Sequence, residues 1–194
     1  MVSNMVNRTD SRARWLDAGL KVLAAEGPTA VRIDRIAAKL KLSKGSFHHH
    51  FDGADGFKRD LLDYFESISV EALERVIGEV EAPGDIRMVL GKLTRMVAPD
   101  RHEVYWPELE LAVRAWATWD PDVRAVQARI DRSRLAALQR VWLPYSQTPE
   151  DARTAALLPY LVAIGAAVAV PPVGADELRR VYETLLTLVP EARD

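Results

Sequence analysis

The stretch that most limits what this chain can fold into is Ile33 to Phe51, IDRIAAKLKLSKGSFHHHF. Ile33, Ile36, Ala37 and Leu40 recur at helical spacing, with Asp34, Arg35, Ala38 and Lys39 off that face. Leu42 is apolar and plugs a turn. Ser43 then stands where a helix N-cap belongs, because its hydroxyl can accept a bond from an otherwise unpaired backbone N–H. Lys44, Gly45 and Ser46 form the first turn of the next helix. Phe47 and Phe51, four apart, are expected to anchor that helix in a core. Lys44, Ser46, His48 and His49 point elsewhere, where they can donate to phosphates or reach base edges. Gly45 has no side chain to hold a surface away. Two short helices with this turn have the layout of a helix-turn-helix, whose second helix enters a DNA groove. The run His48-His49-His50 does not make a metal site, because adjacent helical residues point about 100° apart and cannot converge on one ion.

Charge is divided along the chain. Residues 1–51 hold nine Lys/Arg against four Asp/Glu, and residues 52–194 hold seventeen against twenty-four. A basic head on an acidic body suits a nucleic-acid-binding module joined to something else. The 194 residues allow one large or two modest cores, and the absence of cysteine excludes disulfides, thiolate metal sites and a thiol nucleophile. The N-terminus lacks a charged-then-apolar secretory pattern, so a cytoplasmic protein is expected.

The spacing predicts an all-α chain of about nine helices. Ser11 to Glu26 is the first, with Trp15, Leu16, Leu20 and Leu23 inward and Gly27-Pro28 as its stop. A long helix from about Asp55 to Val80 carries Phe57, Leu61, Tyr64, Phe65 and Ile68, and another runs from about Asp85 to Val97. Tyr105, Leu109, Ala112, Trp116 and Trp119 follow helical spacing, as do Val123, Val126, Ile130, Leu138, Val141 and Trp142. Asp120-Pro121-Asp122 and Thr148-Pro149-Glu150-Asp151 each read as helix starts. Ala155 to Val170 is the most apolar run. It is short for a membrane span and is interrupted by Pro159 and Gly165, so a buried helix is expected. A last helix from about Asp176 to Leu188 carries Leu178, Val181, Tyr182, Leu185 and Leu188 on one face.

SKGSFHHHF after DRIAAKL, preceded by RARWLDAGLKVLAAEG, resembles the N-terminal domain of TetR-type transcriptional regulators from about Arg12 to Leu62. The resemblance implies a three-helix DNA-binding domain over residues 8–68 and a larger helical ligand-binding and dimerisation domain over 69–194. It implies a cytoplasmic homodimer, joined through the last two helices, that acts as a repressor on a palindromic double-stranded operator and is released by a small-molecule effector. The DNA contacts are then expected from Arg32, Ser43, Lys44, Gly45, Ser46, His48 and His49. The sequence departs from the family at Arg32 (usually a small capping threonine), at Lys41 (usually a turn glycine) and at His48 (usually tyrosine). Ala54 replaces a usual basic residue, and Lys58 stands nearby.

For an effector, Met96, Tyr105, Trp106, Glu110, Trp116, Trp119 and Trp142 are the expected pocket residues, with Met88 a further possible wall. No cofactor and no metal is expected. An enzyme is not expected either, since HExxH, a Glu-x-x-His pair, a phosphate-binding glycine loop and a Ser-His-Asp set are all missing, and Glu108 and Glu110 fall on different helix faces. The competing class is a protein-interaction adaptor on the same fold with weak or lost DNA binding, which Arg32, Lys41 and Ala54 favour.

Overall fold

The computed structural model describes residues 2–78, 88–92, 106–171 and 173–187, with side chains from Ser11 onward except at 175. Among these residues the chain is all-helical, with nine α-helical segments. They are α1 (Val2–Glu26), α2 (Ile33–Leu40), α3 (Lys44–His48), α4 (Gly53–Gly78), α5 (seen at 88–92), α6 (Pro107–Ala117), α7 (Pro121–Trp142), α8 (Pro149–Val168) and α9 (Ala175–Thr187). By compactness they form two units. One holds the chain up to Ile68 together with Glu108–Ala128, and the other holds Ser69–Pro107 with the chain from Arg129.

The first unit is built around aromatic rings. Gly27, at φ 79, ends α1 in a conformation that suits a residue without Cβ. Trp15, Leu16, Leu20 and Leu23 are all buried, as their spacing predicts, and Val22 joins them. Phe47 is fully buried, with ring centroids of Trp15, Phe51 and Phe57 at 5.2, 5.1 and 5.5 Å. Edge and tilted arrangements of this kind add to the burial of the rings themselves. Gly19 lets α1 approach α4, because a Cβ there would stand 2.9 Å from Leu61 Cδ1. Arg12–Asp60 (2.8 Å) and Tyr64–Asp17 (2.7 Å) tie the same two helices at the surface.

The second unit packs Leu73, Val89, Leu90, Leu135, Leu138, Val141, Trp142, Ala152 and Ala156 into one core. A smaller cluster joins Ala166 of α8 to Leu178 and Tyr182 of α9, and the Tyr182 hydroxyl donates to Pro159 O at 3.0 Å. Thr148 caps α8 with a reciprocal bond from Asp151, the capping box that the sequence suggests.

Some expectations change. α1 begins at Val2 rather than Ser11, and α3 has only five residues, so Phe51 lies just beyond it while keeping a bond from its N–H to Phe47 O. Only residues 88–92 of the helix expected over 85–97 are described. Trp119 is 62% exposed, because α6 ends at Ala117 and the turn that follows breaks the spacing; Val113 faces the core instead. Most consequentially, α8 is not buried. Ala152, Ala156, Pro159 and Ala166 face inward, while Leu158, Leu161 and Val168 are 50, 57 and 52% exposed. By length and composition this one helix among the described residues could cross a membrane, with a mean hydropathy of 1.3.

Candidate nucleic-acid interface

The helix-turn-helix is closed by a left-handed residue. Lys41 has φ 55 and ψ 39, its N–H donates to Ala38 O, and the Leu42 N–H donates to Ala37 O. This is a Schellman ending, made here with a lysine where glycine avoids strain. Ser43 accepts from the Ser46 N–H at 3.2 Å and so opens α3 as its sequence position predicts.

Around that cap, Ser43, Lys44, Gly45, His48 and His49 are exposed and Ser46 is half-buried, while Phe47 holds the helix from beneath. A Cβ on Gly45 would meet only Ser43 Oγ, at an ordinary 3.6 Å, and Gly45 does not need a left-handed φ. Nothing among the described residues therefore requires glycine there. Arg35 and Lys39 are turned back onto Glu26. Lys44 has no carboxylate partner among the described residues. Arg32, exposed at the start of α2, forks onto Asp34 through Nε at 3.3 Å and Nη2 at 3.0 Å, so a phosphate at Arg32 must share it with that carboxylate. Arg32, Lys44 and His48 line one side of a groove of about 630 Å³ that Phe57 and Trp116 also line.

Lys58, the basic residue nearest to Ala54 along α4, is engaged within the protein. Its ammonium donates to Asp120 Oδ2 at 2.7 Å and Asp122 Oδ2 at 3.2 Å, and lies 5.7 Å from the centre of the Trp116 ring. Burial penalises the ammonium, but the hydrogen bonds to Asp120 and Asp122 outweigh that and raise its pKa above the ordinary lysine value. Burial likewise disfavours the Asp120 carboxylate. The bonds from Lys58 and the Val123 N–H reverse this and hold its pKa below the usual value. Asp120 is a hub: Oδ1 caps α7 through the Asp122 and Val123 N–H groups, and Oδ2 also takes the Trp116 Nε1–H at 3.1 Å.

The seven expected effector residues do not share one pocket. Met96 and Tyr105 lie outside the described residues. Glu110 is buried, with Arg114 at 2.8 Å and Gln127 at 3.2 Å on its Oε1, and lines neither cavity described in this subsection. Trp106 is half-buried and Trp119 is exposed, and neither lines those cavities. Trp116 lines the groove beside the helix-turn-helix. Trp142 lines a cavity of about 450 Å³ in the second unit, with Leu90, Tyr145, Asp151, Ala155, Pro159 and Leu185. Tyr145, Asp151 and Pro159 were not expected there. The sequence marks Asp151 only as a cap and Pro159 only as an interruption of an apolar run.

Residues 16–64 match the family described as bacterial regulatory proteins, tetR family. No curated protein matches the chain. Solved structures match it along nearly their whole length. Reduced NemR from Escherichia coli has a TM-score of 0.77 at 16% identity, covering 94% of this chain and 100% of that one. A TetR-family regulator from Rhodococcus has a TM-score of 0.73 at 19% identity, covering 93% and 98%. SCO4454 of Streptomyces coelicolor, also TetR-family, has a TM-score of 0.72 at 21% identity, covering 94% and 97%. Residues 16–64, which hold the capped α3 and the ring-anchored core, are thus similar to the tetR family of bacterial regulatory proteins, and the described chain shares the fold of these solved structures.

Proposed function

We propose that the chain is a sequence-specific repressor, with residues 8–68 as its DNA-binding domain and 69–194 as its ligand-binding and dimerisation domain. The observation that carries this reading is the set of exposed donors on α3, Lys44, His48 and His49, around a Ser43-capped start and over a buried Phe47. Lys44 contacts phosphate, and Ser46 and His49 reach base edges. Gly45 admits the backbone closely, Ser43 and His48 donate to phosphate, and Arg32 does so at the start of α2.

One such head makes few base contacts, and a two-fold pair reads a palindrome with half-sites about 34 Å apart. The second copy is assigned to α8 and α9. Leu161, Gly165 and Val168 form an exposed stripe on α8, and Val181 is exposed on α9. Among the described residues a Cβ on Gly165 would meet nothing within 4 Å, so no packing among them calls for glycine at this mid-helix site. A glycine in an apolar stripe lets a second helix come close. This also accounts for the apolar character of α8 without a membrane, in keeping with a cytoplasmic protein. An effector in the body releases the operator by favouring another spacing of the two heads.

The adaptor reading has one specific observation in its favour: Ala54 carries no charge and Lys58 is already held by two carboxylates. Titrating labelled random-sequence duplex against the protein at several salt concentrations separates the two, because phosphate contacts release counterions. A regulator loses affinity steeply with salt, and an adaptor has no affinity to lose.

A further inference from the structure

The cavity of the second unit has a chemistry that deepens the effector reading and rests on it. Among its described lining residues, Asp151 alone carries a formal charge. Asp151 Oδ2 is engaged by the Thr148 N–H (3.1 Å) and hydroxyl (2.8 Å), while Oδ1 takes no hydrogen bond among the described residues. One turn further along α8 lies Ala155, and one turn beyond that Pro159. Proline has no N–H, so the Ala155 carbonyl lacks its ordinary helical donor. An anionic oxygen and an under-satisfied carbonyl thus belong to successive turns of one wall. Opposite in character are Trp142, Tyr145, Leu90 and Leu185, which give the cavity aromatic and aliphatic surface. Trp142 and Leu90 are themselves core residues.

We propose that this cavity binds a small organic cation with N–H donors and an apolar body. The ammonium lies between the Asp151 carboxylate and the Ala155 carbonyl, and the body lies against Trp142 and Leu185. Two acceptors without a cation are a poor site for a carboxylate or phosphate ligand, which they repel. For a protonated amine they supply charge-assisted bonds, and an aromatic ring supplies further attraction for the cation. The volume of about 450 Å³ fits an amine of modest size.

The test is calorimetric titration of the full chain at neutral pH with phenethylammonium, its neutral analogue 2-phenylethanol and the anion phenylacetate. The amine is expected to bind at least about tenfold more tightly than the alcohol, and the acid not at all. Asp151→Asn keeps a capping oxygen, and it should abolish the preference for amine over alcohol. Pro159→Ala restores the missing N–H without touching charge, and it should weaken the amine several-fold while leaving the alcohol unchanged. Equal binding of amine and alcohol, tighter binding of the acid, or no amine binding up to about 10 mM overturns the proposal. So does a preference that survives Asp151→Asn in a variant that melts as the parent does. Operator release is scored separately. If the amine binds as described and leaves DNA affinity unchanged, the cavity assignment stands and the release reading falls. If the amine fails while another compound releases operator, the release reading stands and the cation assignment falls.

Discussion

Replacing Asp120 with alanine removes three things at once, and the structure sets the size of each. Oδ1 caps α7 through two backbone N–H groups, and losing such a cap costs about 1 kcal/mol. Oδ2 receives the Lys58 ammonium at 2.7 Å in a largely buried pair, worth about 1 kcal/mol after allowing for the partial exposure of Lys58. The Trp116 Nε1–H loses its acceptor beneath a nearly buried ring, at a further cost of about 1 kcal/mol. Asp120→Ala should therefore destabilise by about 3 kcal/mol, a Tm decrease of roughly 6–12 °C for a chain of this size. Asp120→Asn keeps the cap and an acceptor for Trp116 and should lose about a third of that. The pH dependence has a definite sign. The lowered Asp120 pKa means that its contribution is present above the ordinary carboxylate range and lost as pH falls through the folded value. The raised Lys58 pKa means that its contribution is full below 10.5 and lost as pH rises through the higher folded value. Thermal melts by circular dichroism between these limits, with Lys58→Met completing a double-mutant cycle, measure the pair directly. A Tm within about 1 °C of the parent for Asp120→Ala, or a coupling near zero in the cycle, would refute the hub assignment.

Other consequences can be measured singly. Lys41→Gly relieves the left-handed lysine and should raise stability by about 0.5–1 kcal/mol in a denaturant titration; no gain would mean that the turn is unstrained. Gly19→Ala places a methyl against Leu61 and should cost about 1–3 kcal/mol in the same assay. Lys44→Ala should lower the slope of log affinity against log salt by about one and weaken all sequences alike, whereas Ser46→Ala or His49→Ala should shift base preference in a binding selection. Gly165→Leu should improve α8 as a helix yet shift the mass in sedimentation from dimer to monomer; an unchanged dimer would move the interface elsewhere.

The helix-turn-helix was legible in the sequence because its determinants are local. A cap, a turn and two rings four residues apart fix Ser43, Leu42, Phe47 and Phe51 within a short stretch, and the structure puts each in its expected role. Spacing failed where a helix stopped. Trp119 continues the α6 pattern on paper but follows its end at Ala117, and so turns outward. The α8 run is apolar on every side, so periodicity could not say which side meets the core. It reads as a buried helix when it is half uncovered. The cavity was least legible, because Leu90, the α7–α8 junction and Leu185 meet only by long-range packing. The tryptophan pattern identified Trp142 alone among its walls. Lys58 could be placed only once the fold brought Asp120 and Asp122 to it, across more than sixty residues of sequence.

The central claim is that the exposed face of α3 reads DNA as one half of a two-fold pair. The direct measurement is selection of bound sequences from a random duplex pool at about 150 mM salt, with the dimer verified in the same buffer. The account predicts an enriched palindrome with half-sites about one helical turn apart, the same palindrome from a smaller bound fraction with Lys44→Ala, and a changed sequence with His49→Ala. A folded dimer that enriches nothing, with and without cell extract to supply an effector, would contradict it.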